Sequence, residues 1–262
     1  MTTDKMIADK DGAVGRMIFN NPERRNAVSL EMWEAMENIV GEFNTDDEIR
    51  VIVLSGAGDK AFVAGADVSR FENERASAEA IEQYAKKTAS ATEALYASPK
   101  PTIAQIRGFC IGGGVGIAGC CDLRIAADDA QFAIPAARLG LGYGYDNMRK
   151  LFPLVGPAVA KELFFTARRF KADEALTMGL VNRVVPVDKL KLIVDEYADM
   201  IGDNAPLTVA AAKRTIDEVI KDPDQRDIEA CHRMVQACFD SEDYIEGRTA
   251  FMEKRKAVFK GR

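Results

Sequence analysis

Hydrophobic positions along the chain switch between two periods. Val14 to Phe19 and Arg50 to Ser55 are short apolar runs, bounded by Asn20-Asn21-Pro22 and by Gly56 to Lys60. Such runs predict buried strands. Between them, Trp33, Met36, Val40 and Phe43 recur at helical spacing behind Ser29, which predicts a helix capped by Ser29 and ending near Asn44. A second helix is predicted from Ser77 to about Ala97, rich in Ala, Glu and Lys and stopped by Ser98-Pro99. Strand-like runs follow at Pro101 to Arg107, Leu123 to Ala127, Gln131 to Pro135 and Val181 to Val185. Helices are predicted at Pro157 to Thr166 and Asp173 to Met178, while Leu139 to Asp146 reads as an irregular glycine-rich loop. Strands alternating with helices argue for an α/β architecture. From Asp188 the pattern is helical, jointed at Pro206 and Pro223, which predicts a core over residues 1–200 and a helical region over 201–262.

Composition narrows the classes. A hydrophobic share of 47% over 262 residues supports a sizeable core. The net charge of −6 gives no electrostatic case for nucleic acid or an anionic membrane as partner. No apolar run approaches the ~18 residues of a membrane span, and the opening MTTDKMIADKDG has no apolar core of signal-peptide length. The five cysteines form an odd set without metal-ligand spacing, and Cys120 and Cys121 are adjacent. This predicts a reducing, cytoplasmic setting and no metal. The one histidine, His232, lies between Cys231 and Arg233 in a helical region. It predicts a structural or solvated side chain and removes most Ser-His and Cys-His mechanisms.

Chemistry concentrates in Gly108 to Asp122, where Gly112-Gly113-Gly114 joins a strand to a small-residue helix. Free N–H groups at that helix start suit negative charge. One reading is a dinucleotide cradle, because Gly114 to Gly119 matches G-x-G-x-x-G. Against it, only about nine residues precede Leu123, short of the dozen that a crossover needs. A P-loop is excluded, since no Gly-Lys-Ser/Thr follows. A second reading pairs this stretch with the small-residue loop Ala61 to Asp67, so that the Ala66 and Gly113 N–H groups converge on one oxyanion. Each such donor contributes about 2.7–4 kcal/mol to a transition state. Spacing alone does not bring the two loops together.

Asn21 to Ala27, Ala61 to Asp67 and Gly108 to Asp122 resemble the crotonase (enoyl-CoA hydratase/isomerase) superfamily in order and spacing. Gln131-Phe132, Ala172 to Asn182 and the ending Phe251 to Lys256 continue the match over nearly the whole chain. The resemblance implies a spiral of ββα units with a C-terminal helical trimerisation region, the trimers often paired into hexamers. It implies an acyl-CoA thioester as ligand and no cofactor beyond that CoA moiety. It assigns the oxyanion donors to Ala66 and Gly113. Arg24, Arg25 and Ala64 fall where the family lines the CoA arm, and Phe251 and Lys254 where a neighbouring subunit completes it.

The chain departs from the family at the acid–base residues. The two glutamates that hydratases use fall on Gly116 and Ala136, neither of which moves a proton. Little or no hydration of simple enoyl-CoAs is therefore expected. Superfamily branches place alternative catalytic residues in the loop that here runs from Gly140 to Asp146. A decarboxylating branch has a tyrosine at the position of Tyr143, although it carries a histidine at that of Ala66. Tyr143, Tyr145 and Asp146 are the candidates for hydrogen bonding or proton transfer, against tyrosines that merely pack the loop and Asp146 as a helix cap. Asp67 is expected to fix its loop, and Glu72 and Glu74 to reach the pocket less readily than solvent. Decarboxylation, thioester hydrolysis and non-catalytic binding of CoA esters by an oligomer remain as alternatives.

Overall fold

A computed structural model describes residues 3–70 and 76–262; Glu72 and Glu74 lie outside them. In chain order the strands are β1 (Met6–Asp11), β2 (Val14–Phe19), β3 (Val51–Gly56), β4 (Ala61–Val63) and β5 (Thr102–Ile106). They continue with β6 (Phe109–Ile111), β7 (Leu123–Ala127), β8 (Gln131–Ala133), β9 (Phe170–Lys171) and β10 (Arg183–Val185). The principal helices of the core are α1 (Leu30–Thr45), α2 (Ala78–Tyr96), α3 (Gly113–Cys120), α4 (Ala136–Leu139), α5 (Tyr145–Thr166), α6 (Ala172–Thr177) and α7 (Leu190–Gly202).

Two sheets organise the chain, one ordered β1-β2-β3-β5-β7-β10 and the other β4-β6-β8-β9. The successive pairs β3/β4, β5/β6 and β7/β8 each give one strand to either sheet before the chain turns helical. That repeat is a spiral of ββα units. Alternation along the larger sheet separates two cores. Ile52, Leu54, Ala104 and Ile106 face a core shared with α1, α2 and α3. Val51, Val53, Ile103 and Ile125 face the other way, onto Leu190, Val194 and Ala198 of α7. Burial on both faces explains why these strands read as unbroken apolar runs.

Three elements differ from the sequence expectation. β1 exposes all but its first residue, so its pattern carries no inward face. β6 is three residues long with one buried, too short to show a period inside the glycine stretch. α5 begins at Tyr145 rather than at Pro157 and crosses a kink at Gly156, whose φ is 73°. The break before Pro157 made only the second half legible.

Beyond α7 lie α8 (Pro206–Val219), α9 (Ile228–Phe239) and α10 (Glu242–Glu253). They bound an apolar groove of about 1250 Å³ and leave Phe251 83% and Met252 79% exposed. Among the described residues no helix is long and apolar enough to cross a membrane.

Candidate active site

The site grows from the close approach of the two small-residue loops. The Val28 N–H donates to Gly65 O at 2.8 Å, and the Asp67 N–H to Val28 O at 3.0 Å. These bonds clamp Gly65 to Asp67 beside the start of α1. Asp67 also accepts from the backbone N–H and the hydroxyl of Ser69, at 3.1 and 2.6 Å, so it fixes its loop as expected. Gly112, with φ 54°, turns the chain from β6 into α3. A methyl group on Gly114 would collide with Val63 O, so only glycine lets α3 lie against the end of β4.

The approach brings the two predicted donors together. A methyl group on Gly113 would sit 3.8 Å from Ala66 N and 3.7 Å from Trp33 Cζ2. Among the described residues, neither the Ala66 nor the Gly113 N–H donates to a protein acceptor. Gly113 is the first residue of α3, where unpaired N–H groups and the helix dipole favour an anion. Two unpaired donors this close, together forming one corner of the site, have the spacing that an oxyanion hole requires.

That corner opens into a cavity of about 280 Å³. Trp33, Ala64, Ala66, Gly113, Gly116 and Ala136 line one part, and Tyr84, Thr88, Thr92, Leu139, Tyr143 and Asn147 another. Among the described lining residues there is no carboxylate, thiol or imidazole. Gly116 and Ala136 both stand in the wall, and a methyl group on Gly116 would meet nothing within 4 Å. Space remains where a longer side chain would project.

Tyr143 packs edge-on against Phe164 with ring centroids 5.0 Å apart. Its hydroxyl lies 4.0 Å from the place a methyl group on Gly112 would occupy, next to the oxyanion corner. Tyr145 is 78% exposed and lines no part of the cavity. Gly144, not Asp146, is the cap of α5, and Asp146 sits in its first turn. There its carboxylate pairs with Arg149 at 3.4 Å with its side chain 73% exposed. The helix start therefore turns Asp146 away from the cavity that Tyr143 enters.

The residues expected along a CoA arm divide in two. Asn26 is fully buried and donates to Ala57 O and Ala61 O while accepting from the Asn21 N–H. It holds the Arg24-Arg25 turn against the Ala61 loop, where the Ala64 N–H donates to Arg25 O at 3.0 Å. Arg24 is exposed there, and the Arg25 guanidinium lies over the Phe109 ring, 5.0 Å from its centroid. Phe251 instead lines the C-terminal groove, and Lys254 ends α10 in a left-handed conformation. Neither lines the cavity of its own chain.

Other reactive side chains are set apart. Burial pushes the Cys120 thiol up to about 11 and raises those of Cys110 and Cys121 as well, so these sulfurs pack the core as neutral thiols. His232 is exposed. Sequence reasoning missed the polar face of α2. Tyr84, Thr88 and Thr92 are spaced four apart and all line the cavity, a signal hidden in a helix read only as Ala-, Glu- and Lys-rich.

Comparison with known proteins agrees with this geometry. The family model for enoyl-CoA hydratase/isomerase matches residues 9–262. The short-chain-enoyl-CoA hydratase of Clostridium acetobutylicum is 38% identical over 98% of this chain and 97% of its own length. The crotonyl-CoA hydratase of Syntrophomonas wolfei is 35% identical over 99% of both chains. A crystal structure of an enoyl-CoA hydratase/carnithine racemase from Magnetospirillum magneticum superposes with a TM-score of 0.95 at 34% identity, covering 100% of this chain and 97% of that one. With fold, loop geometry and sequence in agreement, the chain belongs to the crotonase, or enoyl-CoA hydratase/isomerase, family.

Proposed function

We propose that the protein converts an acyl-CoA thioester through an enolate held by the Ala66 and Gly113 N–H groups, and that it forms this enolate by decarboxylation. The observation that carries the reading is the cavity wall. The oxyanion donors are kept, yet Gly116 and Ala136 stand where a hydratase needs glutamates, and no other described carboxylate lines the space. Loss of CO₂ needs no base. The bond between the α carbon and the carboxylate breaks, its electron pair passes into the thioester, and the negative oxygen is met by the two N–H groups. The α carbon then takes a proton. Tyr143, whose hydroxyl lies 4.0 Å from the place of a methyl group on Gly112, gives that proton and recovers it from solvent. A phenol is a weak base at neutral pH but a competent hydrogen-bond and proton donor.

Arg24, Arg25 and Ala64 line the CoA arm in this reading. Phe251 and Lys254 reach it from a neighbouring copy within a homotrimer or a pair of trimers, which the exposed apolar face of α8 to α10 supports. The test is incubation of the purified protein with methylmalonyl-CoA, crotonyl-CoA and saturated acyl-CoAs, with products followed by mass. Release of CO₂ from methylmalonyl-CoA without hydration of crotonyl-CoA is expected. Fast crotonyl-CoA hydration would overturn the reading. Hydrolysis of saturated thioesters would replace it with a thioesterase, and tight binding without turnover with a carrier of CoA esters.

A further inference from the structure

Tyr143 enters the cavity from a segment with a glycine joint at either end. Gly140, with φ 64°, precedes it, and Gly156, with φ 73°, breaks α5 behind it. A methyl group on either glycine would meet nothing within 4 Å, so neither joint is wedged by its surroundings. The first half of α5 is coupled to Tyr143 through its cap, since Gly144 O accepts from the Asn147 and Met148 N–H groups at 3.2 and 3.3 Å. A rotation of this half-helix therefore carries Tyr143 with it. Apolar packing rests the half-helix on α3, where Leu151 is buried and comes 3.9 Å from the place of a methyl group on Gly119. Such contacts are non-directional and do not by themselves fix a rotation.

Direction comes from one carboxylate on α2. Glu93 Oε2 accepts from Arg149 Nη2 at 2.7 Å and pairs with Lys150 Nζ at 2.9 Å. Both cations also lie over the Tyr96 ring, 5.6 and 5.5 Å from its centroid. The Lys150 side chain is only 4% exposed, and its ammonium donates to Thr92 Oγ1 at 3.4 Å. A buried ammonium needs a counter-charge, and among the described residues Glu93 is the one carboxylate that pairs with it. Meanwhile α2 is braced on α1, because Trp33 Nε1 donates to Tyr84 Oη at 3.1 Å and Ser90 Oγ to Glu37 at 2.7 Å. The half-helix beside Tyr143 is thus fastened to a braced neighbour at a single carboxylate.

We propose that Glu93 is a positioning residue. By fixing Arg149 and Lys150 it sets the rotation of the first half of α5, and so holds the Tyr143 hydroxyl in the cavity. This rests on the reading of Tyr143 as the proton donor. Without the carboxylate, two adjacent cations face α2, one of them buried, and the half-helix turns about its glycine joints until they reach water. A misplacement of about 1 Å is enough to cost up to about 10²-fold in rate.

The test is a double-mutant cycle on methylmalonyl-CoA turnover, joined to deuterium uptake by the ligand-free protein. Glu93→Gln should lower kcat about tenfold with KM within about twofold. In the Tyr143→Phe background, where no hydroxyl remains to be placed, the same change should alter kcat by less than about twofold. Uptake over residues 141–155 should quicken in Glu93→Gln, while residues 157–166, beyond the kink, keep the parent rate. Arg149→Met removes one cation and leaves the Lys150–Glu93 pair. It should show the same dependence on Tyr143 with a smaller loss, and it decides the matter if Glu93→Gln fails to fold. An equal kcat loss in both backgrounds would overturn the inference, as would unchanged uptake over 141–155, and either result would leave the proposed reaction standing. A Tyr143→Phe protein as fast as the parent, or a parent protein without turnover, would instead remove the proposed proton transfer and this inference with it.

Discussion

The two walls of the cavity obey opposite rules. On the donor wall, atoms cannot be added. A methyl group on Gly114 runs into Val63 O, and one on Gly65, whose φ is +106°, would lie 3.2 Å from Ile111 O. Beside it, a second stretch of wall has room to spare, since methyl groups on Gly116 or Gly142 meet nothing within 4 Å. Glycine on the first wall is compelled by the approach of two backbones, and on the second it is not. The backbone of the two loops is thus fixed by the fold, whereas the open positions have space for other side chains. The same oxyanion corner can therefore serve different reactions.

Gly114→Ala gives the hardest test of this contrast. The clash is with backbone, so the loop must shift. A destabilisation of about 1–3 kcal/mol is expected, together with a turnover loss of about 10²–10³ as one donor leaves its place. Thermal unfolding and steady-state rates would show both. A stable, active variant would break the distinction between the walls.

Tyr143→Phe removes one hydroxyl and keeps the ring on Phe164. Turnover should fall about 10²-fold with the unfolding midpoint nearly unchanged. An unchanged rate would return Tyr143 to simple packing.

On the open wall, Gly116→Glu should keep the unfolding midpoint within about 2 °C of the parent. Ala136→Glu, at a site only 5% exposed, should lower it further. The double variant is expected to gain crotonyl-CoA hydration, read by the loss of enoyl absorbance. Unfolding of Gly116→Glu as severe as that of Gly114→Ala would show the open wall to be constrained after all. The smallest effect belongs to Asp146→Ala, whose turnover should stay within about twofold, because the carboxylate faces solvent beside Arg149.

Much of this was legible in the chain. Runs such as Arg50 to Ser55 and Leu123 to Ala127 announce strands because both of their faces are buried, and the stripe from Trp33 to Phe43 announces α1. The small residues of the two loops reveal that backbone must come close to something, but not that they come close to each other. That meeting depends on Val28, whose bonds to Gly65 and Asp67 join segments far apart in sequence. Tyr143 and Asp146 are three residues apart and read alike as candidates. Only the cap at Gly144 turns one inward and the other out. The hydroxyl row on α2 went unread because spacing of four is common on any solvated helix, and only the cavity gives it meaning.

Trp33 has a practical consequence. It is the chain's only tryptophan, it is 2% exposed, and it borders the oxyanion corner while its Nε1–H is tied to Tyr84. The indole emission of the folded protein therefore originates at a single point in the wall of the reaction chamber. A thioester that enters comes to lie beside that ring and changes its emission, whether or not any bond is made or broken. The protein carries a built-in optical gauge of occupancy, so candidate substrates can be ranked by titration, without a label, before the reaction itself is known.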